Sequence, residues 1–243
     1  MTTTKGDFIP TEIGTAQGGP ISVLISNLYL HYVLDLWIDK AVKPRMQGYI
    51  YYVRYLDDFV LCFEYRSDAN RFRRVLEKRL EKFSLTVEPS KTKLIEFGRF
   101  AGNNRKGKKA ETFNFLGFTF YCTKNRKGKF RLGMKTEESR LRRSCSKMKE
   151  VLLSIRHRRI REQIEVINVR LNGHYRYYGV GGNVHSIDHF YYFTRKYWRK
   201  ALSSRSQNGK VSWKKFSITT KHFPLCQPKL SLPFTAMKRL ATL

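Results

Sequence analysis

The four cysteines of this chain, Cys62, Cys122, Cys145 and Cys226, form no C-x-x-C pair. That excludes a zinc ribbon or a thioredoxin-like redox motif. Cys62 and Cys122 sit in apolar strand patterns, which reads as free buried thiols in a reducing compartment. His222 and Cys226 have a metal-like spacing, but two ligands make no zinc site, and Pro224 between them reads as loop. The opening residues carry no signal-peptide pattern, no apolar run reaches membrane-spanning length, and no internal repeat stands out. Acidic residues are also scarce in the second half. Residues 122–243 hold 29 Lys and Arg against 6 Asp and Glu, a net of +23; residues 1–121 hold 19 against 13, a net of +6. Self-repulsion on this scale opposes compact folding, and a polyanion relieves it.

What is present in quantity is Lys and Arg interleaved with Tyr, Phe and Trp, as over 170–178 and 190–198. Basic side chains meet phosphates and aromatic rings stack on unpaired bases. For a single aromatic the alternative is a core stripe. An acidic membrane surface would need a helix with a clean apolar face, and the basic helices here carry tyrosines instead, so no membrane partner is expected. With 243 residues, 41% of them hydrophobic, the chain can build one or two cores.

The most informative motif is Tyr55-Leu56-Asp57-Asp58. Two adjacent carboxylates interrupt the apolar run 49–63, which reads as strands over 49–55 and 59–63 turning around the pair. Aspartate is a poor strand former and costly to bury alone. Two hard oxygen donors on a stiff turn suit Mg²⁺, and a solvated turn is the alternative. Upstream, Gln17-Gly18-Gly19-Pro20 precedes an apolar helix, expected over 21–40; glycines there allow close backbone approach and a helix N-terminus favours phosphate. Downstream the pattern predicts a helix over 67–84, strands near 85–88, 93–97 and 113–121, an exposed loop over 101–110, a basic turn over 123–129 and a strand over 130–135. Helices follow over 136–155, 159–177 and 185–203. The middle one carries Ile160, Ile164, Ile167 and Leu171 as one apolar stripe. The tail, 207–243, is loop-rich with short elements around Trp213 and Phe234.

In order, Gln17-Gly18-Gly19, the aspartate hairpin, Lys91-Thr92-Lys93, Phe115-Leu116-Gly117-Phe118 and Leu171-Asn172-Gly173-His174-Tyr175 resemble the reverse transcriptases encoded by group II introns. Tyr197-Trp198-Arg199-Lys200 and His222-Phe223-Pro224-Leu225 resemble the segments that follow. The resemblance covers almost the whole chain. It departs at Ala16, where the family has Pro, and at Leu56, where the family has Ala. It implies an α+β fold, with a partial polymerase palm over 1–135, a helical thumb or maturase domain over 136–205 and a loop-rich extension over 206–243. It implies an RNA-directed DNA polymerase that also serves intron splicing, with two Mg²⁺ ions, dNTP, an RNA template–DNA primer duplex and intron RNA as partners, in a bacterial cytoplasm or an organelle. By resemblance Asp57 and Asp58 hold metal. Gln17, Gly18, Gly19, Tyr55 and Lys91 line the nucleotide and template site, and Phe115, Leu116, Gly117 and Phe118 grip the primer. Arg170, His174, Arg176, Tyr177, Arg195 and Arg199 contact RNA. Strand alternation puts Tyr55 on one face with Asp57. The family draws a third aspartate and the fingers from residues upstream of Gln-Gly-Gly. Only thirteen residues precede Gly14, so a separate N-terminal fragment is an expected partner. The alternative is a non-catalytic RNA-binding remnant.

Overall fold

The computed structural model describes residues 20–101, 110–206 and 209–240. Gln17, Gly18 and Gly19, the lead over 1–13 and most of the loop expected over 101–110 lie outside the described residues. The fold is α+β, as expected, and it divides into two compact units, one ending at Leu94 and the other beginning at Ile95.

In the first unit helix α1 spans Pro20–Leu30. It continues through π-helical turns at His31–Asp35 and Ile38–Val42 and ends in a 3₁₀ turn, Lys43–Arg45. Pro44, lacking an N–H, stops the helix there. Strands β1, Ile50–Tyr55, and β2, Asp58–Phe63, form an antiparallel hairpin in register from Ile50 opposite Phe63 to Tyr55 opposite Asp58. Helix α2, Arg66–Glu81, buries Ala69, Phe72, Leu76 and Leu80 at four- and three-residue steps. Phe72, Leu76 and Leu80 meet Val33, Leu34, Ile38 and Val42 in one core, with Phe59, Leu61 and Phe63 packed against it.

Two expectations fail here. No strand forms over 85–88 or over 93–97, and the segment is irregular through Phe97. Pro89 has no ladder donor, and Ser90 donates both its N–H and its hydroxyl to the Glu88 carboxylate, at 3.2 and 2.7 Å. The Thr92 hydroxyl donates to the Glu88 carbonyl at 2.9 Å. Such local bonds compete with strand pairing. Secondly, the helical stretch Ile21–Arg45 is long and apolar enough, by length and composition, to cross a membrane, contrary to the reading of the apolar runs. Its later half is a core helix: Val33, Leu34, Ile38 and Val42 are buried under α2 and the hairpin. Its earlier half leaves Ile21, Leu24 and Leu28 exposed.

The second unit holds a three-stranded antiparallel sheet in the order β3-β4-β5, with β3 at Phe113–Phe115, β4 at Phe118–Lys124 and β5 at Phe130–Thr136. The single strand expected over 113–121 is a hairpin instead. Leu116 and Gly117 both take positive φ, 50° and 74°, which makes a two-residue turn of the kind that suits strand twist. The basic turn after β4 is organised by Asn125, whose side-chain oxygen accepts the N–H groups of Lys127 and Lys129 at 2.9 and 3.0 Å. Helices α3, Glu138–Ser154, α4, Ile160–Tyr178, and α5, Val184–Ser203, follow, then the shorter α6, Trp213–His222, and α7, Phe234–Leu240. Their core centres on Met148, Leu152, Ile167, Leu171, Tyr175, Phe190 and Trp198. The buried indole N–H of Trp198 donates to Gln163 at 2.8 Å, and the Gln163 amide donates to the Arg156 and Arg158 carbonyls that end α3 and start α4.

The boundary expected at residue 135 does not divide the structure. Buried Asn183 joins the sheet to the helices: its side-chain oxygen accepts Thr136 N–H at 2.7 Å, and its amide donates to Thr136 Oγ1 and to the Tyr178 carbonyl, both at 2.8 Å. Phe118 of β4 stacks on Tyr177 of α4, ring centres 5.9 Å apart. The sheet therefore belongs with the helical unit.

Replacing Asn183 with Leu takes away the side-chain acceptor of the buried Thr136 N–H and the donor to the buried Thr136 hydroxyl, while the Tyr178 carbonyl keeps the Val180 N–H. We expect a loss of about 2–4 kcal/mol in urea unfolding of the chain, and Asn183→Asp, which keeps the acceptor and loses both donors, to fall between the two.

Candidate active site and nucleic-acid interface

The β1–β2 connection has only two central residues, Leu56 and Asp57. Leu56 takes φ 57°, a left-handed conformation that costs a non-glycine residue roughly 1 kcal/mol or more. The strain persists because the surroundings fix it. Arg54 donates Nη1 to the Leu56 carbonyl at 2.8 Å and to the Asn27 side chain at 2.9 Å. Its Nε and Nη2 form a fork on Asp35, at 2.8 and 2.6 Å. The Tyr52 hydroxyl donates to the same carboxylate at 2.8 Å. Asp35 is the last residue of the first π-helical turn, and π turns recur where a helix must re-aim a side chain. The Arg54 guanidinium, with Tyr52, holds the Asp35 carboxyl below its ordinary value against the opposing effect of burial. Burial and the Asp35 charge push the Tyr52 phenol up, so it remains a donor.

Above this lock Asp57 and Asp58 both face solvent. Tyr55, 58% exposed, stands directly across the strands from Asp58. This corrects the expected pairing of Tyr55 with Asp57: Asp57 lies in the turn, where strand alternation has stopped, and Asp58 shares the Tyr55 face. Val53 and Tyr51 continue that face, both exposed. Lys91 is exposed on the Glu88 turn, its backbone N–H bonded to the Glu88 carbonyl at 3.2 Å. Among the described residues no group of three or more His, Cys, Asp or Glu side chains is placed to hold a metal. Asp57 and Asp58 are two adjacent, exposed hard oxygen donors of the kind Mg²⁺ takes. A full coordination set draws on more than these two.

Residues 1–120 match the reverse transcriptase (RNA-dependent DNA polymerase) family model. No curated protein matches the chain. The reverse transcriptase match takes in the aspartate hairpin, Lys91 and most of the β3–β4 hairpin, and it ends inside β4. Its last residues, Phe115 to Phe118, form the tight turn of the second unit. The Leu116 carbonyl accepts the Tyr177 hydroxyl at 3.0 Å, and the Gly117 carbonyl accepts Glu137 N–H at 2.9 Å. A Cβ on Gly117 would approach the Tyr178 hydroxyl to 3.2 Å at a φ of 74°, so glycine is needed twice over. The structure thus brings Phe118 and Tyr177, expected in separate domains, into one aromatic cluster.

Of the other basic positions, Arg170 and Arg176 are exposed on α4. Arg195 is half-buried on α5. Arg199 is used internally: it donates to the Val211 carbonyl at 2.8 Å and lies 4.4 Å over the Trp213 ring. His174 does not reach the surface and so cannot touch RNA as expected. It is 9% exposed and stacked on Phe190 at 4.0 Å, because the α4 stripe turns it inward with Leu171 and Tyr175. Sequence reading also passed over Asp35, Arg54 and Asn183. The signal for the first two was present: a lone Arg within an apolar strand and a lone Asp within an apolar helix imply each other.

Two outcomes follow. Arg54→Lys retains charge but loses the fork, and we expect it, like Asp35→Asn, to cost roughly 2–3 kcal/mol, with the double variant far less than additive in a denaturant cycle. Burial lowers His174 from 6.5 to about 4. The unfolded chain therefore binds the proton first, and stability falls as pH drops from about 6.5 toward 4, by up to about 3 kcal/mol. His174→Phe should flatten that part of the pH–stability curve.

Proposed function

We propose that this chain is the palm-and-thumb part of an RNA-directed DNA polymerase of the group II intron type, and that its basic helical unit also serves as a maturase surface on intron RNA. The observation that carries the reading is the strained, solvent-facing aspartate turn fixed from below by Arg54 and Asp35, inside a segment that matches the reverse transcriptases. The charge supports it: residues 95–243 hold 34 Lys and Arg against 8 Asp and Glu. On this reading Asp57 and Asp58 hold Mg²⁺, which when bound supplies charge stabilisation for nucleotidyl transfer. The protein's own task is positioning. Arg54 keeps the turn rigid, Tyr55 packs beside the primer end, and Lys91 meets the triphosphate of the dNTP. Gln17, Gly18 and Gly19 line the template side. Phe115 to Phe118 with Tyr177 seat the template–primer duplex, while Arg170 and Arg176 meet its backbone. Further metal ligands come from polypeptide beyond the described residues, in cis or from a separate N-terminal fragment. The work is done in a reducing, nucleic-acid-rich compartment such as the bacterial cytoplasm.

A second reading, an RNA-binding maturase remnant, is favoured by one observation: only two carboxylates meet at the described site. Primer extension on an RNA template separates the two. With a fragment supplying the missing carboxylate, Asp57→Asn is expected to lower extension roughly a hundred- to a thousandfold while leaving RNA affinity intact. RNA binding with no extension under any complementation would select the remnant.

A further inference from the structure

The motifs Leu171–Tyr175 and His222–Leu225 lie some fifty residues apart, and the structure bolts one to the other. Asn168 accepts Cys226 N–H at 2.8 Å and donates to the Pro224 carbonyl at 3.2 Å. The Tyr175 hydroxyl donates to the Cys226 carbonyl at 3.2 Å, and the Asn172 amide to Cys226 Sγ, also at 3.2 Å. The 224–227 segment is thereby fixed as one wall of a small open cavity of about 180 Å³, lined by Tyr191, Arg195, Thr220, Pro224, Leu225 and Gln227.

The chemistry of this cavity is one-sided. No carboxylate lines it. The Gln227 amide donates to the Tyr191 oxygen at 2.7 Å, which frees the Tyr191 O–H to point elsewhere and leaves Gln227 a second N–H. The Thr220 hydroxyl is turned back to the Ser217 carbonyl. Arg195 lies 5.9 Å from the Tyr191 ring centre, and among the described residues its guanidinium has neither a hydrogen bond nor an ion pair. A half-buried, unpaired guanidinium beside two spare donors is a seat for one tetrahedral oxyanion.

We propose that this cavity holds a single backbone phosphate of bound RNA and sets the register of the helical unit on it. The assignment rests on the RNA-binding part of the proposed function and adds a discrete anchor to what is otherwise a diffuse basic surface. RNA is preferred to a free nucleotide because the surface the cavity presents is mostly polar, with Pro224 and Leu225 as its aliphatic contribution. Because its wall is already bolted to α4, ordering costs on binding are small.

The test uses fluorescence anisotropy of the full chain with a labelled RNA hairpin over a salt series, and phosphate-ethylation interference on the same RNA. Arg195→Gln should weaken binding roughly tenfold, reduce the salt slope by about one, and erase interference at one phosphate. Arg195→Lys should restore part of the affinity and the interference signal. Tyr191→Phe, which removes one donor and the acceptor that holds the Gln227 amide, should weaken binding by a smaller factor. Arg161→Gln, on the exposed face of α4 beside Glu165, should leave the interference pattern as it is. The proposal falls if Arg195→Gln behaves as Arg161→Gln does, or if millimolar inorganic phosphate displaces the RNA as fully as excess RNA does. Wild-type chain that binds no RNA would overturn the wider reading along with it.

Discussion

One fork of hydrogen bonds, Arg54 on Asp35, sets the geometry of the first unit. It joins the hairpin to the long helix, satisfies two charges that apolar neighbours would otherwise strand, and leaves one guanidinium nitrogen to hold the carbonyl of a left-handed leucine. Removing either charge exposes the other to a partly desolvated setting, which is why such pairs are costly to break even where they add little net stability. The helix accommodates the pair through its π turn, and the tight turn accommodates it through strain at Leu56. Two irregularities of backbone therefore have one cause.

The second unit depends on a different device, buried amides. Asn183 and Gln163 each hold three partners across element ends: Asn183 joins sheet to helix, and Gln163 joins helix to helix. Each satisfies backbone groups that helix and strand termini leave over. Around them the aromatic residues do double duty. Tyr175 fills the core and ties down the 224–227 segment, while Tyr177 stacks on Phe118 and stays half open to solvent. Packing and exposure are not exclusive for such residues, and Tyr177 has both.

Much of this was legible in the residues. The period of Ile160, Ile164, Ile167 and Leu171 fixed α4, alternation around Asp57 and Asp58 placed the hairpin, and the basic run over 123–129 marked the turn after β4. What was not legible came from competition between local and distant bonds. Glu88 captured Ser90 and Thr92, so no strand formed over 85–88. Leu116 entered the left-handed region beside Gly117 because Tyr177 and Glu137 hold both turn carbonyls from outside, and no propensity of leucine announces that. His174 belonged to a surface motif by sequence and to the core by helical angle. That no unit boundary falls at residue 135 followed from Asn183, which reaches Thr136, 47 residues away in the chain.

The order of the second sheet, each strand beside its neighbour in sequence, bears on how the chain is made. Every strand pairing in β3-β4-β5 closes over a turn of two to five residues, whereas among the helices α3 packs chiefly on α5, across the length of α4 in the chain. Loops this short lose little entropy on closing. The sheet of this strongly cationic half can thus form locally, before the long-range repulsion among lysines and arginines that bringing α3 onto α5 has to overcome. Speed of assembly, as much as final stability, is what a sheet of this simple order gives to a chain with so much like charge.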